Sequence, residues 1–153
     1  MLAALRVLDP EGGTLGLKWP NDLVAWREGR LVKLGGILGE QAAGRLILGL
    51  GVNLTAAPDL PDRAIPPACL ADLGLAALPV ASLSMAILQY WMDLREILQP
   101  AFFWPGPGDA IRWEEGEGTC LGWEPDGRLK VAGAGGIRRL SAGDLRGLET
   151  RDP

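Results

Sequence analysis

The sequence predicts an α+β fold, in which a mostly antiparallel sheet with helices precedes a small all-β module. Short apolar runs are joined by tight turns such as Glu28-Gly29 and Asp126-Gly127, and such short connections favour hairpins over helical crossovers. One long helical pattern follows at about residues 80–98. Beyond it, a run of proline and glycine at residues 104–108 marks a boundary, after which only short strands are predicted.

The first hundred residues are predicted to form a meander of strands followed by helix. In order, the predicted elements are the end of a helix at 2–8, strands at 14–19, 23–27, 31–34, 37–41 and 45–52, a loop with four prolines at 53–67, a short helical stretch at 70–75 and the helix at 80–98. Each pair of neighbouring strands is close enough in sequence to form a hairpin.

The uncharged segment at residues 73–92 is about as long as a membrane span. Pro79 interrupts it, and Ser82, Ser84 and Gln89 are spread through it. Beyond Pro79 the large apolar residues recur at the spacing of one face of an amphipathic helix. The sequence therefore predicts a helix that packs on the sheet and no association with a membrane.

The C-terminal third has the pattern of a small β-barrel. Turns at Glu115-Gly116, Asp126-Gly127 and Gly135-Gly136 separate short strands, and Asp126-Gly127 is the strongest hairpin signal in the chain. We predict two domains, at residues 1–101 and 102–153.

Composition excludes several classes of function. The chain of 153 residues has a net charge of −4 and no basic run, which argues against nucleic-acid binding. Histidine is absent, so Ser-His-Asp triads and histidine-containing zinc sites are excluded. Cys69 and Cys120 form no CxxC pair, and we interpret both as buried residues of a protein in the reducing cytoplasm. No secretory signal is recognised near residue 1.

Three short segments place polar or cationic side chains beside glycine or proline. They are residues 18–23 (Lys-Trp-Pro-Asn-Asp-Leu), 33–40 (Lys-Leu-Gly-Gly-Ile-Leu-Gly-Glu) and 49–53 (Gly-Leu-Gly-Val-Asn). Of only three lysines in the chain, Lys18 and Lys33 fall inside these segments and Lys130 does not. A lysine is a compact point charge that can reach a carboxylate or a phosphate. The segments therefore indicate a site that handles anions and uses a nucleotide.

In this order and at these separations, the three segments resemble the catalytic core of biotin–protein ligases. Residues 108–145 are similar to the SH3-like β-barrel at the C-terminus of that family, so the resemblance covers nearly the whole chain. It implies a partial biotin/lipoate ligase-type catalytic core followed by an SH3-like barrel.

Ligases of this family also carry, upstream of the first segment, a loop of the Gly-Arg-Gly-Arg-x-Gly-Arg type that closes over biotin and the adenylate. This sequence does not contain such a loop. We therefore expect an N-terminally truncated ligase with an incomplete site. We also expect the strand at residues 14–18 to leave an unpaired edge or exposed apolar surface.

The reaction implied by the resemblance has two steps. The carboxylate of biotin attacks the α-phosphate of ATP, giving biotinyl-5′-AMP, and a lysine of a biotin carboxyl carrier protein then attacks the acyl group. ATP and biotin are the substrates, and Mg²⁺ is expected. The resemblance assigns Lys33 to the carboxylate and the phosphoryl oxygen, Lys18 to the phosphates, and Asp22 to the incoming lysine.

The resemblance also implies a set of binding residues and no metal ligand from the protein. These are Asn21 for the nucleotide or the metal side of it, Gly35 and Gly36 for biotin, Gly49 and Gly51 for close approach of the backbone, and Asn53 for adenine. From the residues alone, the glycines could equally mark a bulge or a bend, and the lysines could be solvated at strand ends.

Two other classes of function stay open. Lipoate ligases and octanoyl transferases share the fold, although the Trp-Pro-Asn-Asp cluster favours biotin. Without the adenylate-closing loop, the chain could also be a non-catalytic remnant or a module that binds carrier domains. The sequence leaves open whether the protein forms a homodimer.

Overall fold

The computed structural model describes residues 7–60, 63–75, 79–92, 102–143 and 145–147, without the side chains of Tyr90 and Trp91. Its elements are β1 Leu15–Lys18, β2 Asp22–Arg27, β3 Arg30–Ala42, β4 Arg45–Val52, a 3-10 helix Leu70–Leu73, α1 Val80–Met92, β5 Phe103–Trp104, β6 Ala110–Trp113, β7 Gly116–Trp123, β8 Leu129–Gly133, β9 Gly136–Leu140 and β10 Arg146–Gly147. The strands predicted at 31–34 and 37–41 are one continuous strand.

The first sheet has the strand order β4-β3-β2-β1-β5 and is antiparallel except between β1 and β5. Both predicted hairpins are confirmed. Their turns, at Glu28-Gly29 and Ala43-Gly44, have positive φ at both central residues, as a two-residue turn between twisted strands requires. The register between β2 and β3 shifts at Leu23/Val24, so that β3 carries a bulge beside Lys33.

The strand β1 is paired on both sides over part of its length. Leu17 and Lys18 pair with Phe103 and Trp104 of β5, in addition to their antiparallel partners in β2. The expected unpaired edge is therefore wrong for these two residues, because the chain returns after α1 to cover them. The strand β5 lies just beyond the predicted domain boundary at residue 101, and that boundary stays a prediction.

The second sheet has the strand order β10-β6-β7-β8-β9 and is antiparallel throughout. The hairpin predicted at Asp126-Gly127 is confirmed between β7 and β8. The predicted barrel is not confirmed, because among the described residues β9 and β10 are the two edges of an open sheet and do not pair with each other.

The two sheets share a core through strand β2, which is buried on both faces. Leu23 and Ala25 pack into one apolar cluster with Leu34 and Leu70. Val24 points the other way, into a second cluster that contains residues of both sheets. That cluster comprises Trp19, Val24 and Leu31 with Trp104, Ile111, Cys120, Leu129, Val131 and Leu145. Trp19 Nε1 also donates to the carbonyl oxygen of Gly127 at 2.9 Å, which ties the first sheet to the β7–β8 hairpin.

The helix α1 lies within the predicted range, and the part of the prediction beyond residue 92 falls outside the described residues. Leu83 is buried and Ile87 is half-buried on the face that meets the first cluster. In the described part of the chain, no helix is long and apolar enough to cross a membrane. Both cysteines are free and buried, as predicted.

Candidate functional site

The three sequence motifs meet in a single row across the first sheet. Lys18 at the end of β1 lies opposite Asp22 at the start of β2, Asp22 lies opposite Gly36 of β3, and Gly36 lies opposite Gly51 of β4. Directly opposed residues of neighbouring antiparallel strands have Cβ atoms about 5 Å apart. The strand pairing therefore brings one residue or more of each motif to the same place.

At the centre of this row Lys33 forms an ion pair with Asp22. Lys33 Nζ lies 2.6 Å from Asp22 Oδ1, and the two side chains are 43% and 14% exposed. Gly36 makes room for the pair, since a Cβ at this position would lie 3.2 Å from Asp22 Oδ1. At this exposure an ion pair contributes on the order of 1 kcal/mol or less, so a ligand carboxylate can replace Asp22 at Lys33 at little cost.

The backbone of Lys33 is held by the end of the proline-rich loop. Its N–H donates to the carbonyl oxygen of Pro66 at 2.9 Å, and its own carbonyl accepts from the N–H of Ala68 at 2.8 Å. The backbone of Lys33 is therefore fixed, while its side chain stays half exposed.

Lys18 is the buried cation of the site. The residue is 5% exposed, its Nζ lies 3.5 Å from the carbonyl oxygen of Trp19, and it lies 5.5 Å from the ring centroid of Trp104. The side chain of Lys18 therefore lies in the floor of the site, where a charge acts through a lower dielectric than at the surface.

The two asparagines are oriented by backbone carbonyls. Asn21 Nδ2 donates to Ile37 at 2.6 Å, and Asn53 Nδ2 donates to Ala68 at 2.9 Å. Each amide keeps its side-chain oxygen and one further N–H for a ligand. For Asn53 this is the donor–acceptor pair that the predicted contact with adenine needs.

The glycines of the motifs have different structural roles. A Cβ at Gly35 would collide with the carbonyl oxygen of Gly51, so Gly35 is explained by the close approach of β4. A Cβ at Gly51 would meet nothing within 4 Å, and one at Gly49 would meet only the carbonyl oxygen of Leu38 at 3.9 Å. Gly49 and Gly51 therefore leave free space where a ligand can approach the backbone.

Two hollows adjoin the Lys33–Asp22 pair. The larger one, which we call the deep hollow, has a volume of about 740 Å³ and is open to solvent. Of the predicted residues it is lined by Lys18, Asp22, Lys33, Gly35, Gly36, Gly51 and Asn53. The smaller, more open one, which we call the shallow hollow, has a volume of about 420 Å³ and contains Asn21, Gly49 and apolar side chains of β3 and β4. Asp22, Lys33, Gly36 and Gly51 line both.

Sequence reasoning missed part of the deep hollow. Its wall also includes Arg63 and Ile65 of the proline-rich loop, and Leu145 and Arg146 from the second sheet. Arg63 stands close to Asn53 in sequence and could have been proposed on that ground. No sequence pattern near Arg146 indicates that it lines the hollow, because its position depends on the pairing of β10 with β6.

The described residues do not form a metal site of their own. No group of three or more carboxylate or cysteine side chains that could hold a metal ion occurs among them. Asp22 is the one carboxylate among the described residues of either hollow, and it already forms an ion pair with Lys33. Mg²⁺ needs carboxylates or phosphate oxygens, so the residues present do not fit a protein-held ion.

The fold is that of biotin–protein ligases. The apo structure of biotin protein ligase from Aquifex aeolicus matches 95% of this chain and 71% of its own length, with a TM-score of 0.72 and 17% identity. The structure of the same ligase in complex with biotin and ATP matches 95% of this chain and 68% of its own, with a TM-score of 0.71 and 19% identity.

A sequence relative points the same way. The biotin–[acetyl-CoA-carboxylase] ligase of Mycobacterium tuberculosis (strain ATCC 25618 / H37Rv) is 52% identical over 86 residues, which is 50% of this chain. The match spans 29% of that ligase's length. No family model matches the chain. The predicted resemblance to biotin–protein ligases is therefore confirmed by sequence and by fold.

Proposed function

We propose that this chain supplies a wall of the active site of an ATP-dependent biotin–protein ligase. Such an enzyme forms biotinyl-5′-AMP and transfers biotin to a lysine of a biotin carboxyl carrier protein. The observation that carries the proposal is the row Lys18–Asp22–Gly36–Gly51, which joins all three motifs at one ion pair between two hollows.

The chemistry of the two hollows suggests one substrate for each. The shallow hollow has apolar walls from Ile37, Leu38 and Leu50 beside the bare backbone of Gly49, which suits the ring and aliphatic chain of biotin. The deep hollow holds Asn53 and the cations Lys18 and Lys33, which suits adenine and phosphates. Lys33 lies in the wall of both, where the carboxylate of biotin must meet the α-phosphate.

The exchange of partners at Lys33 gives Asp22 its proposed role. A carboxylate approaching a phosphate meets like-charge repulsion, and a positioned ammonium group reduces it. When Lys33 turns from Asp22 to the substrates, the Asp22 carboxylate becomes available to orient an incoming amine or to accept its proton. The half-exposed side chain of Lys33 favours such an exchange over a permanent structural role.

Several finer points belong to the same proposal. Mg²⁺ would enter with the phosphates of ATP. The tail of the chain would form the SH3-like module that shapes the site or contacts the carrier, from about residue 102 onward. The reducing cytoplasm is the proposed compartment, and a homodimer is compatible with the proposal.

The test is the formation of adenylate from radiolabelled ATP and biotin. Both hollows are open to solvent, so we expect weak biotin binding and little adenylate from residues 1–153 alone. A polypeptide that carries a loop of the Gly-Arg-Gly-Arg-x-Gly-Arg type is then added. We expect labelled biotinyl-5′-AMP to appear in the mixture and to be absent when either polypeptide is omitted.

Each alternative gives a different result in the same assay. Equal product with lipoate or octanoate in place of biotin would favour the other acyl ligases. A mixture that binds a carrier domain but forms no adenylate would favour a carrier-binding module. Tight binding of biotin by residues 1–153 alone, measured by calorimetry, would contradict the incomplete site.

A further inference from the structure

The backbone of Lys33 is paired with the end of the proline-rich loop. The pairing of β3 with β4 ends at Gly35 and Val52. Nearer to the start of β3, the place beside the strand is taken by residues 66–68, which we call the bridge segment. This segment forms a single parallel bridge, between Pro67 and Lys33. The support of the Lys33 backbone on this side of β3 therefore depends on where the bridge segment lies.

The bridge segment has a single backbone N–H group. Pro66 and Pro67 have none, so the segment can donate only from Ala68. That N–H is used by the carbonyl oxygen of Lys33. Ala68 itself is 2% exposed, and a buried carbonyl oxygen needs a donor from the protein. A donor at the Ala68 carbonyl therefore does much to hold the segment in place.

Asn53 supplies that donor. Its Nδ2 donates to the carbonyl oxygen of Ala68 at 2.9 Å, and its backbone N–H donates to the carbonyl oxygen of Leu34 at 2.7 Å. Leu34, the neighbour of Lys33 in β3, is 0% exposed. Asn53 is thus bonded to the residue after Lys33 and to the residue that holds the Lys33 carbonyl. Its side chain closes a ring of hydrogen bonds around the Lys33 backbone.

Asn21, the other asparagine of the motifs, is bonded to a different part of β3. Its Nδ2 donates to the carbonyl oxygen of Ile37 at 2.6 Å, and the N–H of Ile37 donates to the carbonyl oxygen of Asn21 at 2.9 Å. Both asparagines therefore bond to the backbone through their amides. Of these two side-chain bonds, the one made by Asn53 leads to the Lys33 backbone.

The reach of the Lys33 side chain depends on this support. Because the side chain is 43% exposed, the position of its backbone does much to decide where the ammonium group can lie. A misplacement of about 1 Å at a reacting group can cost about 100-fold in rate. A lysine adapts in part through its flexible stem, so a displaced Lys33 backbone should cost less than that.

We propose that Asn53 is a positioning residue for Lys33 and acts through the carbonyl group of Ala68. This role is additional to the contact with adenine, and the inference rests on the proposed function. The amide of Asn53 then affects the binding of the biotin carboxylate at Lys33 even when no nucleotide is present. A residue that only contacts adenine has no effect on biotin in that state.

The test measures binding by calorimetry, without nucleotide, in the mixture of this chain with the polypeptide that carries the loop. The ligands are biotin and biotinol, in which a CH₂OH group replaces the carboxylate, and ATP is measured separately. Asn53→Ala should weaken binding of biotin about tenfold and of biotinol by less than about twofold. In a chain that already carries Lys33→Ala, it should cause no further selective loss of biotin.

The control is Ser84→Ala, which also removes a hydrogen bond from a side chain to the backbone, here to the carbonyl oxygen of Val80 in α1. It should match the unmodified chain. The ratio of the two affinities within one variant separates positioning from damage to the fold, because a smaller folded fraction weakens both ligands. If Asn53→Ala does not fold, the smaller change Asn53→Ser takes its place, with the same selective loss expected.

Two kinds of result would overturn the inference. If Asn53→Ala weakens biotin and biotinol equally, or weakens ATP and leaves biotin unchanged, Asn53 does not position Lys33 and only this inference fails. If the unmodified mixture binds no biotin, the proposed function fails, and the inference fails with it.

Discussion

At the scale of single residues, the central ion pair of the site contributes little to the stability of the fold. Lys33 and Asp22 are in contact, but Lys33 is 43% exposed and its backbone is anchored independently by Pro66 and Ala68. Breaking such a pair costs on the order of 1 kcal/mol, whereas a cation at the reacting carboxylate and phosphate stabilises the transition state by several times more. This comparison supports the proposed catalytic role of Lys33 over a role in stability.

The first prediction follows from this comparison. In the active mixture described above, Lys33→Ala should lower the rate of adenylate formation about 100- to 1000-fold, the usual cost of one positioned electrostatic donor. The control is Lys130→Ala in β8, which removes the same charge outside both hollows. Equal loss from the two substitutions would remove Lys33 from the mechanism.

The second prediction separates two glycines that the sequence could not distinguish. Gly35→Ala should destabilise the fold by about 1–3 kcal/mol in urea unfolding, because its Cβ would collide with the backbone of β4. Gly51→Ala should unfold like the unmodified chain, since its Cβ enters free space, but should weaken ligand binding. If Gly51→Ala binds ATP and biotin normally, Gly51 does not face a ligand.

At the scale of elements, the 3-10 helix that follows the proline-rich loop is capped by its own acidic residue. The carboxylate of Asp72 accepts a hydrogen bond from the N–H of Cys69 at 2.9 Å. This bond, together with the Cys69 side chain and the charge of Arg27, holds the pKa of Asp72 below its usual value of 3.8. The same turn is joined to Asn53, since the N–H of Leu70 donates to the carbonyl oxygen of Asn53 at 3.0 Å.

The third prediction is a pH dependence with a definite sign. Because the folded pKa of Asp72 is lowered, its contribution to stability is complete above the unfolded value and is lost as the pH falls through the folded value. Asp72→Asn should therefore melt below the unmodified chain at about pH 7, and the two melting temperatures should converge below about pH 3.8. Asp59→Asn, in an exposed loop, is the control. A difference that stays constant with pH would show that the charge has no part in it.

Local signals predicted the elements well. The turns at Glu28-Gly29, at residues 42–44 and at Asp126-Gly127 each need residues that accept positive φ, and that requirement can be recognised within a few positions. The motif residues also follow, because the two hairpins alone bring Asp22, Gly36 and Gly51 into one row.

Long-range pairing was not predictable in the same way. The strand β5 has two residues and no periodic pattern, yet it covers Leu17 and Lys18, so the expected free edge was wrong there. Arg146 reaches the deep hollow through the pairing of β10 with β6, and β10 is equally short. The predicted barrel is not confirmed among the described residues, and its closure would also depend on edge strands that are far apart in sequence.

At the scale of the whole molecule, one exposed apolar surface among the described residues lies on the β3–β4 hairpin. The strand β4 is the edge of the first sheet, and Leu46, Leu48 and Leu50 on one of its faces are 66%, 42% and 37% exposed. A long edge strand with exposed apolar side chains favours association between chains. The expected apolar exposure is thus present, on a different strand from the predicted one.

The fourth prediction is self-association or aggregation of residues 1–153. Analytical ultracentrifugation should show a mass that rises with concentration, and Leu48→Lys should reduce the rise, because a buried lysine at the contact is unfavourable. Thr119→Lys, which adds the same charge at an exposed position of β7, is the control. A monomer that melts cooperatively at all concentrations would contradict this prediction.

The central claim is that the three motifs, gathered at the Lys33–Asp22 pair, form part of a biotin–protein ligase site. The most direct measurement is the mass of a biotin carboxyl carrier domain after incubation with biotin, ATP, this chain and the polypeptide carrying the glycine- and arginine-rich loop region. We expect the carrier to gain one biotinyl group on a lysine, only when ATP is present, and to gain none when the chain carries Lys33→Ala. A carrier that stays unmodified in the complete mixture, or that is modified equally well with Lys33→Ala, would contradict the claim.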